Sequence, residues 1–105
     1  MLINEVSKTT GLTKKAVEYY EQQGFIHPEV MENGYRNYSY KDISMLKEVS
    51  MLRKLDIGIA DIKSIVFSQD KCKALAEYQA KLEVSLTQAK VQYDCITHLI
   101  SNGYD

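Results

Sequence analysis

The last third of the chain holds a long stretch without proline or glycine, from Lys71 to Ser101. Its apolar side chains recur at alternating intervals of four and three residues, which is typical of a coiled-coil seam. The pattern predicts a helix of roughly 45 Å, too long for a small domain to cover, so we expect it to pack against a second copy. The alternative is a helix that folds back onto its own domain. The seam positions are Leu75, Gln79, Leu82, Leu86, Ala89, Tyr93, Ile96 and Ile100.

The N-terminal residues predict two short helices joined by a glycine turn. Val6 lies on the apolar face of the first, Gly11 suits a left-handed turn, and Thr13 is a good N-cap for the second. The second helix is expected to stop at Gly24, with Pro28 soon after. This order of helix, turn and helix is the helix-turn-helix pattern.

A hairpin pattern follows the second helix. Asn33 and Gly34 suit a two-residue turn in which both residues have positive φ, and the stretch GYRNY behind them is basic and aromatic. A short helix followed by a hairpin that carries Arg36 and Tyr38 is the layout of a winged DNA-binding domain.

Two further helices complete the predicted domain. Ser39 and Asp42 resemble a capping box, and apolar residues at helical spacing run to about Leu55 before a glycine break and a fourth helix. We therefore predict an all-α fold with a small β-hairpin wing, divided into a DNA-binding domain at 1–69 and a dimerisation helix with a short tail at 70–105.

The charge distribution allows DNA contact through placed residues, without a strongly basic surface. The net charge is −1, with 8 Lys+Arg and 7 Asp+Glu before residue 55 (+1) and 5 and 7 after it (−2). The chain shows no catalytic constellation, so we predict neither an enzyme nor a cofactor.

Membrane and metal sites are also not predicted. No apolar run is long enough to cross a membrane, and His27 and His98 are isolated. Cys72 and Cys95 are 23 positions apart, too few for a disulfide framework or a zinc site. We interpret them as reduced thiols of a cytoplasmic protein.

The candidate DNA contacts begin at the second helix. Lys14 and Lys15 in its first turn are unfavourable for the helix dipole, which suggests an anionic partner, and N-terminal residues of such a helix reach base edges. Thr13 offers its backbone N–H or hydroxyl to a phosphate or a base. On the wing, Arg36 can hold a phosphate through charge-assisted hydrogen bonds, with Tyr38 beside it.

The combination of these motifs resembles the MerR-type transcriptional regulators. The resemblance is carried by INEVSKTTGLT, AVEYYEQQGFIHP and NGYRNYSYKDISMLKEVSMLRKLDIGIADIK, in that order. It implies a winged helix-turn-helix domain and an antiparallel coiled-coil homodimer on a pseudo-palindromic promoter site in double-stranded DNA. It further implies distortion of that DNA, which lets RNA polymerase engage the promoter. Tyr19 or Tyr20 would donate its phenol to a phosphate, and the other would lie in the core.

The chain departs from the family at Glu18, where an arginine is usual. Glu18 either pairs with Lys14 one turn earlier or accepts a hydrogen bond from a cytosine amino group. Metal-sensing members place a cysteine near the position of Cys72 and add more in a following loop, so we predict no metal sensor here. Whether a sensor domain follows the long helix stays open.

Two other functions compete with a dimeric regulator. One is an excisionase-like or architectural DNA-binding factor without an effector, and the other is a coiled-coil adaptor that binds proteins. The lysine pair and GYRNY favour DNA binding, because an adaptor needs neither.

Overall fold

The computed structural model describes residues 1–104 and divides into two compact units, Met1–Phe67 and a second that begins at Ser68. The predicted fold class is confirmed: a mostly helical chain with a two-stranded wing and a long C-terminal helix. The elements are α1 (Ile3–Thr10), α2 (Lys14–Gln22), β1 (Glu29–Val30), β2 (Arg36–Asn37), α3 (Tyr40–Lys54), α4 (Ile59–Val66) and α5 (Lys71–Asn102).

Local capping signals define the helix-turn-helix. Gly11 takes the left-handed conformation with φ of 73° and closes α1, its N–H donating to the carbonyl of Ser7. The hydroxyl oxygen of Thr13 accepts from the backbone N–H of Ala16 at 3.1 Å and so caps α2 as predicted. Val17 on α2 is completely buried, and this fixes the face that the helix turns inward.

The wing turn differs from the prediction. The N–H of Gly34 donates to the carbonyl of Met31 at 2.9 Å, and Met31 donates to Tyr35 at 2.7 Å. Gly34 has φ of 84°, and the described residue with positive φ that is not glycine is Asp56, not Asn33. The predicted two-residue turn is therefore wrong: a three-residue loop closes the hairpin, with Gly34 in the left-handed position. Asn33 instead uses its side chain, which accepts from the N–H of Tyr35 at 3.0 Å.

The third and fourth helices supply half of the buried apolar side chains of the core. Ser39 and Asp42 form the predicted capping box at the start of α3. Asp56 takes φ of 63° after α3, and Gly58 is the N-cap of α4. The most completely buried large side chains of the domain are Leu46, Ile62, Val6, Val17 and Val49.

The long helix α5 is continuous from Lys71 to Asn102, and within the described chain none of its side chains is buried. Seam residues are widely exposed, including Leu86 at 73% and Ile100 at 79%. Although α5 is long, neither it nor any other helix in residues 1–104 is apolar enough to cross a membrane.

Candidate nucleic-acid interface

A groove of about 410 Å³ lies between the start of α1, helix α2 and the wing. Three of the predicted DNA contacts line it, namely Lys14, Arg36 and Tyr38, together with Glu18. Residues that are 22 positions apart in the sequence, such as Lys14 and Arg36, thus face one concave surface. The remaining lining residues are Leu2, Ile3, Asn4, Gly34 and Tyr35.

Arg36 is held by a carboxylate of α2. Its Nε donates to Oε2 of Glu21 at 2.9 Å, and the side chains are 46% and 23% exposed. The hydrogen bond and the charge of Glu21 raise the pKa of Arg36 above its ordinary value, so the guanidinium is charged throughout. Because the bond uses Nε, the two terminal nitrogens of Arg36 stay available for an anion.

The two oxygens of the Glu21 carboxylate differ in their contacts. Oε1 is buried and has no hydrogen-bond partner among the described residues. The contact with Arg36 is therefore monodentate, through Oε2 alone. A bidentate pair would instead occupy a terminal nitrogen as well. Sequence reasoning missed Glu21, since it lies 15 positions before Arg36 on a different element.

The tyrosines separate by burial. Tyr20 is 8% exposed and packs edge-on against Phe25, with ring centroids 6.0 Å apart, so it belongs to the core. Tyr19 is 44% exposed and is the accessible member of the pair. Tyr38 is only 3% exposed, and this burial raises the pKa of its phenol. The structure thus places Tyr38 beneath the wing, and its DNA contact stays a prediction.

The first turn of α2 presents its polar groups to solvent. Thr13, Lys14 and Lys15 are all exposed. The hydroxyl oxygen of Thr13 accepts the capping hydrogen bond, which leaves its own proton free to donate to a phosphate.

Glu18 does not form the expected pair within its helix. In the described part of the chain Lys14 and Glu18 make no ion pair, although both line the groove. The charge of Glu18 instead contributes, after that of Glu21, to raising the pKa of Arg36. Two cationic side chains and one unpaired carboxylate therefore share this surface.

Metal-binding groups do not gather anywhere in residues 1–104: no cluster of three or more His, Cys, Asp or Glu side chains is placed to hold an ion. Both cysteines are free thiols on exposed positions of α5.

The fold and this groove define a winged helix-turn-helix DNA-binding protein. Residues 1–69 match the family described as MerR HTH family regulatory protein. The chain is 33% identical over 89 residues to the HTH-type transcriptional regulator HmrR of Rhizobium leguminosarum bv. viciae, covering 84% of this chain and 69% of HmrR. The chain therefore belongs to the MerR family, whose members are transcription regulators and not enzymes, as the sequence predicted.

Solved structures share the fold at low sequence identity. The N-terminal part of MtaN, the Bacillus subtilis multidrug transporter activator, superposes with a TM-score of 0.79 at 17% identity, covering 95% of this chain and 97% of that chain. HiNmlR, a MerR family regulator lacking the sensor domain and bound to promoter DNA, gives a TM-score of 0.63 at 15% identity, covering 96% and 83%.

Proposed function

We propose that this transcriptional regulator acts as a homodimer on a pseudo-palindromic promoter site in the cytoplasm and distorts the DNA there. The observation that carries the proposal is that one chain has both a groove with Lys14 and Arg36 and a long helix whose apolar seam is left exposed by residues 1–104. The first supplies contacts to one half-site, and the second supplies the means of joining two half-sites.

Helix α2 is the element that enters the major groove. Its first turn carries Lys14 and Lys15, both exposed, so their side chains reach base edges or the flanking phosphates. Thr13 donates its hydroxyl to a phosphate at the same helix end, where the positive end of the dipole favours an anion. Tyr19, which is exposed on the same helix, donates its phenol to the DNA backbone. The buried Tyr20 packs in the core and keeps the helix in place.

The wing contacts the backbone beside that groove. The terminal nitrogens of Arg36 bind a phosphate while its Nε remains on Glu21. A phosphate contact positions the protein without reading sequence, so specificity rests on the first turn of α2.

Dimerisation through α5 joins the two DNA-binding domains into one unit. The exposed seam packs antiparallel against its copy, which relates the two domains by a two-fold axis and explains a pseudo-palindromic site. Binding both half-sites at once favours a bent or untwisted DNA, because the deformation energy is offset by the second set of contacts. RNA polymerase engages the promoter in that distorted form. The solved relative HiNmlR, bound to promoter DNA, supports this proposal.

A titration of the promoter duplex and a random duplex at several salt concentrations tests the proposal. We expect a dimer in sedimentation, a steep loss of affinity with salt on both duplexes, and a clear preference for the promoter. Lys15→Ala should change the ranking among sequences, whereas Arg36→Ala should weaken all duplexes alike. A salt-independent interaction, or none, would instead favour the protein-binding adaptor.

A further inference from the structure

We infer that α5 pairs with a second copy in one antiparallel register, which sets Leu86 against the partner's Ala89 and Glu83 against the partner's Lys90. This inference rests on the proposed homodimer and adds which residues select the partner and its alignment. It follows from the apolar seam, from the charged residues that flank it and from the limits of the helix.

The seam supplies the first constraint. In the heptad repeat, Leu75, Leu82, Ala89 and Ile96 take the d positions, and the other seam residues take the a positions. Antiparallel helices pack each a residue near a d residue of the partner. In the proposed register all eight seam positions find a partner, and large residues meet small or differently shaped ones. The pairs are Leu75 with Ile100, Gln79 with Ile96, Leu82 with Tyr93, and Leu86 with Ala89.

A slip of one heptad removes part of this cover. In one direction Ile100 would lie opposite Ser68, which precedes the start of α5 at Lys71. In the other direction Leu75 would extend past the C-terminal end of the partner helix, since α5 ends at Asn102. These side chains are 79% and 43% exposed in the single chain, so either slip leaves apolar surface in water.

The flanking charges supply the second constraint. Glu83 and Lys90 occupy the e positions beside the seam, and both are exposed. Antiparallel helices bring e positions together, so the proposed register forms two symmetry-related Glu83–Lys90 pairs. A slip of one heptad one way opposes Glu83 to itself, and a slip the other way opposes Lys90 to itself. Repulsion between these like charges disfavours both slipped registers.

The opposite flank agrees with the same alignment. The g positions between residues 78 and 99 carry no charge. The first of them is Tyr78 and the last is Leu99. The proposed register sets Tyr78 against the partner's Leu99, which extends the apolar contact at each end. Within its own helix Lys90 lies 3.3 Å from Asp94, and the side chains are 76% and 60% exposed. Such an exposed pair is weak and does not prevent Lys90 from reaching a partner.

Charge reversal tests the register through rescue. Glu83→Lys and Lys90→Glu should each raise the dimer dissociation constant by about tenfold, because two attractive pairs become two repulsive ones. Mixing the two variants should restore wild-type affinity as a heterodimer, since every contact is again between opposite charges. The double variant should restore the homodimer. In a parallel coiled coil the e positions lie on opposite sides of the seam, so no rescue would occur.

Sedimentation equilibrium measures the dissociation constants, and native mass spectrometry of a mixture with one tagged chain counts the heterodimers. Glu77→Lys, a charge reversal at an f position on the outer face, is the matched control and should leave dimerisation unchanged. Circular dichroism confirms that each variant keeps its helix. A wild-type monomer would overturn the proposed homodimer itself. A wild-type dimer whose two single variants dimerise normally, or fail to rescue each other, would overturn the register alone.

Discussion

The contact between Glu21 and Arg36 gives the sharpest test of how the wing meets DNA. Glu21 holds Nε at 2.9 Å, and the half-exposed Arg36 side chain would otherwise sample many rotamers. We predict that Glu21→Ala weakens DNA binding even though it removes a negative charge. The reason is that an unheld guanidinium loses its alignment with the phosphate.

The magnitude follows from counting phosphates. One contact contributes about 0.9 to the slope of log affinity against log salt, which is roughly a 3.5-fold change in affinity for a fourfold change in salt. Arg36→Ala should therefore reduce the slope by about 0.9 for each protomer bound. Glu21→Ala should shift the slope in the same direction, and the double variant should be no weaker than Arg36→Ala alone, since both remove one contact.

Fluorescence anisotropy on labelled promoter and random duplexes, at four or more salt concentrations, measures these slopes. Glu21→Gln keeps an oxygen that can accept from Nε and should retain most of the binding. Glu77→Ala on α5 removes one negative charge from outside the helix-turn-helix domain, so it controls for the general electrostatic gain. If Glu21→Ala bound DNA more tightly than Glu77→Ala with an unchanged slope, the carboxylate would oppose the phosphate instead of positioning Arg36.

Three further predictions concern the seam, the groove and the buried phenol. Replacing Leu82 and Leu86 with Lys should give monomers and strongly weaker operator binding, and a variant that still sediments as a dimer with unchanged affinity would contradict the seam. Glu18→Arg should raise affinity for every duplex, because a negative charge in the groove becomes positive; a preference shifted at one symmetric base pair in a binding-site selection would instead show that Glu18 reads a cytosine. The raised pKa of Tyr38 means that its neutral form is favoured by folding. Its contribution to stability should be complete below about pH 10 and lost as the pH rises through the folded pKa, so urea unfolding at rising pH should show a smaller alkaline loss for Tyr38→Phe.

The helices were predictable because their signals are local. The caps at Thr13 and Ser39 act on backbone groups three residues away, so the side chain and its target are neighbours in the sequence. The spacing of apolar residues likewise reports the buried face of each helix directly. The wing turn was less predictable, because Asn33 has two uses in a turn. It tolerates positive φ, but it also bonds the N–H two residues on, and here the second use prevails.

Contacts between different helices and strands could not be predicted from the spacing of residues in the sequence. The strand β2 ends at Asn37, so Tyr38 leaves the alternation that would place it with Arg36 on one face. Its N–H donates to the carbonyl of Met1 at 2.8 Å, and the ring turns into the core. The partner of Arg36 depends on how α2 packs beside the wing, and no spacing rule in a sequence encodes that distance.

In the proposed homodimer, we expect the register of α5 to bear on recognition of the DNA site. A slip of one heptad displaces the paired helices by about 10.5 Å, at 1.5 Å per residue. That displacement is about a third of the roughly 34 Å that one helical turn of DNA puts between half-sites in the major groove. We therefore expect the charges of Glu83 and Lys90 to influence which half-site spacing the proposed dimer binds.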